Sequence, residues 1–257
     1  MNTDVIRARD LRVEFPTYTA DRSLKRAVLK ATTGGRIARD SRSYISVRAI
    51  DGISFNLKSG NRVGLLGHNG SGKTTLLRVL AGAYEPVSGS LEMHGRIASL
   101  LDISMGMEGD ATGYDNILLR GLMMGLDAKE IRKQMPEIAE FTELGEYLDM
   151  PLRTYSSGMQ IRLAFAVSTA ISADILLMDE WLSVGDENFQ QKAAKRLQRR
   201  VDESSVLVIA SHSPELISKV CNRAFRLDHG KIIEEFDPRQ KTMSSPPEAS
   251  FARSESL

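Results

Sequence analysis

The feature that most constrains this chain is an octapeptide, Gly67-His68-Asn69-Gly70-Ser71-Gly72-Lys73-Thr74. It lies between the apolar run Arg62–Leu66 and a segment whose apolar residues Leu76, Leu77, Val79 and Leu80 return at helical intervals. The octapeptide satisfies the pattern G-x-x-x-x-G-K-[ST] in the order that pattern requires: buried strand, glycine loop, helix. The order matters more than the number of glycines. Glycines let the backbone turn tightly enough for several N–H groups to face one anion, and the helix beginning near Lys73 adds its positive end to the cradle. The expected ligand is ATP, held over Gly67–Thr75, with His68, Asn69, Gly70, Ser71, Gly72, Lys73, Thr74 and Thr75 as the binding residues. Lys73 is expected to reach the β- and γ-phosphates, and the Thr74 hydroxyl to ligate Mg²⁺. His68 reads as a solvent-facing loop residue without a chemical task of its own.

Further along, Ile175-Leu176-Leu177-Met178 reads as a strand buried on both faces, and it ends in Asp179-Glu180. Side chains alternate across a strand, so adjacent acids should point differently and do different work. Asp179 suits Mg²⁺, through a water, and Glu180 is placed to orient and polarise an attacking water. Val206–Ser211 repeats the arrangement of buried strand followed by polar residues, and His212 after it can contact a γ-phosphate oxygen. Helical patterns over Ala128–Leu144, with a disturbance near Pro136, over Ile161–Ile171 and over Phe189–Val201 alternate with these strands. A strand at Val5–Phe15 ends at Pro16, Ile50–Leu57 is a second, and Leu91–Glu92 and Phe225–Glu235, turning at Asp228–Gly230, supply further strand material. The expected fold is α/β around a mainly parallel sheet, with ligands at the carboxyl ends of its strands.

Composition restricts the alternatives. At 257 residues, with a formal net charge of +1, the chain has no broad cationic face, and a nucleic-acid partner is not expected. Its apolar runs are too short to cross a hydrocarbon core, and the N-terminus lacks the pattern of a secretory signal. Cys221 is the only cysteine, which excludes an internal disulfide and fits a reducing cytoplasm. Residues 17–44 carry Arg22, Lys25, Arg26, Lys30, Arg36, Arg39 and Arg42 against Asp21 and Asp40. This basic insertion, with a short helix suggested around Ser23–Lys30, reads either as a solvated loop or as a surface meeting anionic lipid headgroups. Residues 237–257 read as a flexible tail.

With these residues in hand, the chain resembles the ATP-binding cassette ATPases over residues 1–236. Tyr155-Ser156-Ser157-Gly158-Met159-Gln160 is similar to the signature motif of that family. The resemblance implies a phosphate-loop core with an antiparallel β subdomain and a helical signature subdomain over about residues 108–170. It also implies a head-to-tail dimer in which Ser157 and Gly158 of one copy close over the γ-phosphate held by Lys73 of the other. Ser183-Val184-Gly185-Asp186 resembles the segment that crosses the dimer interface, with Asp186 communicating between sites, and Tyr44 stands where an aromatic residue stacks on adenine. No glutamine occurs in Ala98–Gly106, where most transport members carry one. The stretch instead resembles the branch that exports lipid-linked polysaccharides such as O-antigen, capsule and teichoic acid, and Asp102 is expected near the catalytic site or the partner contact. The implied partners are an integral-membrane transporter subunit and a second copy of the chain, working at the cytoplasmic face of a bacterial inner membrane. Met105, Met107, Met123 and Met124 read either as a groove for that partner or as core filling. After Phe236 no carbohydrate-binding domain is expected.

Overall fold

The computed structural model describes residues 4–17, 36–39, 45–181 and 186–240. Two sheets organise them. The six-stranded sheet runs in the order β10 (Lys231–Phe236), β9 (Arg223–Asp228), β4 (Arg62–Leu66), β8 (Val206–Ala210), β7 (Ile175–Asp179), β6 (Ile97–Leu100). It is parallel from β9 through β6, with β10 antiparallel at one edge. The four-stranded sheet is antiparallel in the order β2 (Arg36–Arg39), β3 (Ile45–Lys58), β1 (Asp4–Thr17), β5 (Ser88–Met93).

Strands buried on both faces explain the apolar runs of the sequence. Val63, Leu65, Ile175, Leu177, Val206 and Val208 face the antiparallel sheet and helix α1 (Lys73–Leu80). The alternate residues Leu66, Leu176, Met178, Leu207 and Ile209 join a second core, built with α2 (Gly113–Met123), α3 (Ala128–Thr142), α4 (Ser157–Ser168), α5 (Glu187–Glu203) and α6 (Pro214–Val220). Helix α6 comes so close to β4 that a Cβ on Gly64 would stand 2.6 Å from the Ile217 side chain. Among the described residues, no helix is long and apolar enough to cross a membrane.

The structure departs from the sequence reading at several points. Pro16 does not end β1; it pairs with Ser46 of β3. The pairing of β1 with β5 stops at Arg12, so on that side the missing proline N–H leaves no ladder partner unsatisfied. Helix α3 ends at Thr142 rather than Leu144 and runs through Pro136, which is exposed, while Ile131, Ile138 and Phe141 are buried. Part of the basic insertion, Arg36–Arg39, is strand β2, paired with Ile45–Arg48. The suggested helix at Ser23–Lys30 lies outside the described residues. Of the tail, Asp237–Gln240 forms a turn closed by Gln240 N donating to Asp237 O at 3.2 Å, and residues 241–257 lie outside the described set. Helix α2 was not expected, although its start is encoded. Thr112 Oγ1 accepts from Asp115 N at 3.1 Å, and Asp115 accepts from Thr112 N at 3.2 Å, a reciprocal cap.

Candidate functional site

The glycine loop joins β4 to α1 at the carboxyl edge of the parallel sheet. Gly67 and Gly72 have φ of +149° and +108°, and a Cβ would lie 2.4 Å from Leu227 O at the first and 2.8 Å from Ala49 O at the second. Both positions require glycine for backbone angle and for space. Lys73 is buried, and its Nζ donates to Gly67 O at 2.7 Å and His68 O at 3.1 Å. Burial pushes the Lys73 pKa below its ordinary value, against the pull of Asp179 and Glu180. The ammonium is thus folded back over the loop, onto two of its carbonyls. The first turn of α1 has no side-chain cap and no acid, and Ser71 Oγ is buried without a partner. An uncapped helix start beside an orphaned hydroxyl and a buried ammonium fits a phosphate chain.

The ends of β7 and β8 meet this loop. Asp179 pairs in register with Ala210, and its Oδ2 accepts from Thr74 Oγ1 at 2.8 Å. Two hard oxygen donors so placed fit Mg²⁺. Glu180 leaves the strand with φ +72°, and this turn aims it elsewhere. Glu180 Oε2 accepts from Ser211 Oγ at 2.7 Å, and Oε1 accepts from the His212 backbone N–H at 2.8 Å. The adjacent acids therefore do point differently. His212 is exposed, and its main chain, rather than its ring, makes the contact with Glu180. Ser211, which the sequence reading did not single out, is buried and fixes the carboxylate.

Asp102 follows β6 on the neighbouring strand. Its carboxylate stands 3.6 Å from the guanidinium of Arg78 on α1. The segment after it is pinned from below by Arg120, a buried guanidinium on α2. Arg120 donates to Ser168 Oγ at 3.1 Å and 2.9 Å, to Met105 O, and to Asp102 O at 3.5 Å. Burial pushes the Arg120 pKa down to about 10, so the group stays charged at neutral pH. Met107 and Met124 pack against the core, whereas Met105 and Met123 are 64% and 68% exposed, beside exposed Leu119 and Leu122.

Helix α4 opens the signature segment. Ser156 is its N-cap, accepting from Met159 N at 3.3 Å, and Ser157 begins the helix with Gly158 next. Ser156 and Ser157 are exposed. The sequence reading took Ser157 and passed over Ser156, whose cap position was legible in the Ser-Ser-Gly run before an apolar helix. Asp186 caps α5, accepting from Phe189 N at 3.1 Å, and its other oxygen pairs with Arg162 of α4 in the same chain. His68 is exposed as expected, but it contacts Asp228. Tyr44 and Ser183-Val184-Gly185 lie outside the described residues.

Strand, glycine loop, helix and strand-end acid pair together make an α/β phosphate-loop nucleotide-binding fold. The family model described as ABC transporter matches residues 50–183, and the chain belongs to that family. It is 45% identical to the O-antigen export system ATP-binding protein RfbE of Yersinia enterocolitica, over 88% of this chain and 95% of that one. It is 38% identical to the O-antigen export system ATP-binding protein RfbB of Myxococcus xanthus, over 97% of this chain and 55% of that longer one. Its fold is similar to the ATP-binding cassette MJ0796 in a dimeric post-hydrolysis state bound to ADP and Pi. That match has TM-score 0.64 and 18% identity, and covers 91% of this chain and 99% of that chain.

Proposed function

We propose that this chain is the ATP-hydrolysing subunit of an ABC exporter that moves lipid-linked polysaccharide across a bacterial inner membrane from its cytoplasmic face. The observation that carries the chemistry is the split between the two acids: Asp179 on Thr74, Glu180 held by Ser211 and the His212 N–H. The 45% identity to an O-antigen export ATP-binding protein carries the substrate class.

In this reading Lys73 turns from its carbonyls to the β- and γ-phosphates, while the loop N–H groups and the start of α1 hold the rest of the chain of charge. Thr74 and Asp179 would hold Mg²⁺, which would supply charge neutralisation to the phosphates when bound. Glu180 orients a water in line with the γ-phosphorus. As the water oxygen bonds to phosphorus and the bond to the β-phosphate oxygen breaks, Glu180 receives the proton. His212 follows the γ-phosphate, and Asp102 with Arg78 lies beside the partner-contact segment. Ser156, Ser157 and Gly158 of a second, head-to-tail copy complete the enclosure, with Asp186 at the boundary and Tyr44 on the adenine. The helical layer over about residues 108–170 carries that second surface. The exposed side chains of Met105, Leu119, Leu122 and Met123 receive the integral-membrane subunit.

Glu180→Gln (E180Q) tests the scheme. Phosphate release should fall about 10²–10⁴-fold, and light scattering in Mg-ATP should show accumulated dimers. Unchanged turnover would remove the role of Glu180. Protomers alone, even with the membrane partner supplied, would remove the shared site.

A further inference from the structure

The turn between β9 and β10 lies against the phosphate loop. Gly230 N donates to Ser71 O at 2.9 Å, and a Cβ on Gly72 would come within 3.4 Å of Gly230 Cα. Three side chains meet on this seam. Asp228 Oδ1 stands 2.9 Å from His68 Nε2 and 2.8 Å from His229 Nδ1, and the two imidazole centroids are 5.2 Å apart. His68 Nδ1 is at the same time 2.7 Å from Asn69 O.

These contacts pose a problem of hydrogen positions. A backbone carbonyl only accepts, so Nδ1 of His68 must carry a proton, and a neutral ring then has a bare lone pair on Nε2. That lone pair faces a carboxylate, which also only accepts when ionised. Asp228 is ionised at neutral pH. Two acceptors at 2.9 Å repel each other unless a positive charge lies between them.

We propose that His68, Asp228 and His229 form a site for a divalent transition-metal ion of the zinc class, which fastens the β9–β10 turn to the phosphate loop. The three ligand atoms all lie within 4.8 Å of one another. Ligands at about 2.0–2.1 Å from a tetrahedral ion stand about 3.3 Å apart, so rotation of these side chains, each 43–49% exposed, reaches the geometry. Two imidazoles, one carboxylate and a position open to water suit Zn²⁺, Co²⁺ or Ni²⁺ and do not suit Mg²⁺, which takes oxygen. Any effect on nucleotide affinity rests on the phosphate-loop reading; ion binding does not.

The test uses the full chain without nucleotide at neutral pH. Co²⁺ should give a visible ligand-field band saturating at one ion per chain, displaced by Zn²⁺, with matching heat in a Zn²⁺ titration. His229→Asn (H229N) removes a ligand while keeping a residue that tolerates φ of +45°. It should weaken binding more than about tenfold, and Asp228→Asn (D228N) should do the same, with circular dichroism unchanged in both. Absence of the band and the heat at millimolar ion would overturn the site and leave a proton on His68 as the missing charge. Equal binding by the parent and both variants would overturn it as well. Loss of ATPase activity plays no part in either readout.

Discussion

The strand tips and the start of α4 offer similar groups in different states of completion. At the tips Thr74 bonds Asp179, Glu180 is held by Ser211 and the His212 N–H, and Lys73 by two carbonyls, with Ser71 Oγ buried beside them. At α4, Ser156 and Ser157 are exposed, and a Cβ on Gly158 would meet only Ser156 Oγ, at 3.9 Å. A preorganised pocket can hold its ligand alone, whereas an exposed helix start on a flat surface needs an anion brought to it. The contrast matches the proposed dimer, in which one copy of the chain binds and two enclose.

The largest expected effect lies at the tips. Lys73→Ala (K73A) should lower hydrolysis about 10²–10³-fold and weaken binding of a fluorescent ATP analogue to the isolated chain. Parent-like affinity would mean that the pocket does not depend on its ammonium. Gly158→Asp (G158D) probes the other side, and the open space there lets the fold accept it. A carboxylate at that helix start repels phosphate, so hydrolysis should drop about tenfold while single-chain affinity stays at the parent value. Equal loss of affinity would erase the distinction between the two regions. The smallest effect concerns the link between them. Arg120→Met (R120M) removes the guanidinium that donates to Ser168 Oγ and Met105 O, and should cost about 1–3 kcal/mol in urea unfolding. Nucleotide affinity should not change; if it falls, the link also shapes the tips.

What the sequence disclosed follows from the range over which each feature is encoded. Lys73, Thr74, Asp179 and Glu180 were legible because a glycine spacing or the end of an apolar run marks each one locally. The two-faced burial of β4, β7 and β8 was legible for the same reason. Pairings between distant residues were not. Asp102 with Arg78, Asp186 with Arg162 and Arg120 with Ser168 join positions that only the packed chain brings together. Strand β2 was hidden because its basic composition suggested a solvated loop, and pairing with β3 supplied what composition did not. For His212 the position was legible, but the contact came from the main chain. Helix α2 and Ser156 were missed although their caps are written in a few adjacent residues.

The left-handed backbone at Glu180 has a further consequence. An ordinary side chain in that region carries a conformational penalty of about 1–2 kcal/mol, and glycine there would be free of it. Glycine there would also delete the carboxylate that Ser211 and the His212 N–H hold, so an acid is kept at a backbone angle that suits glycine.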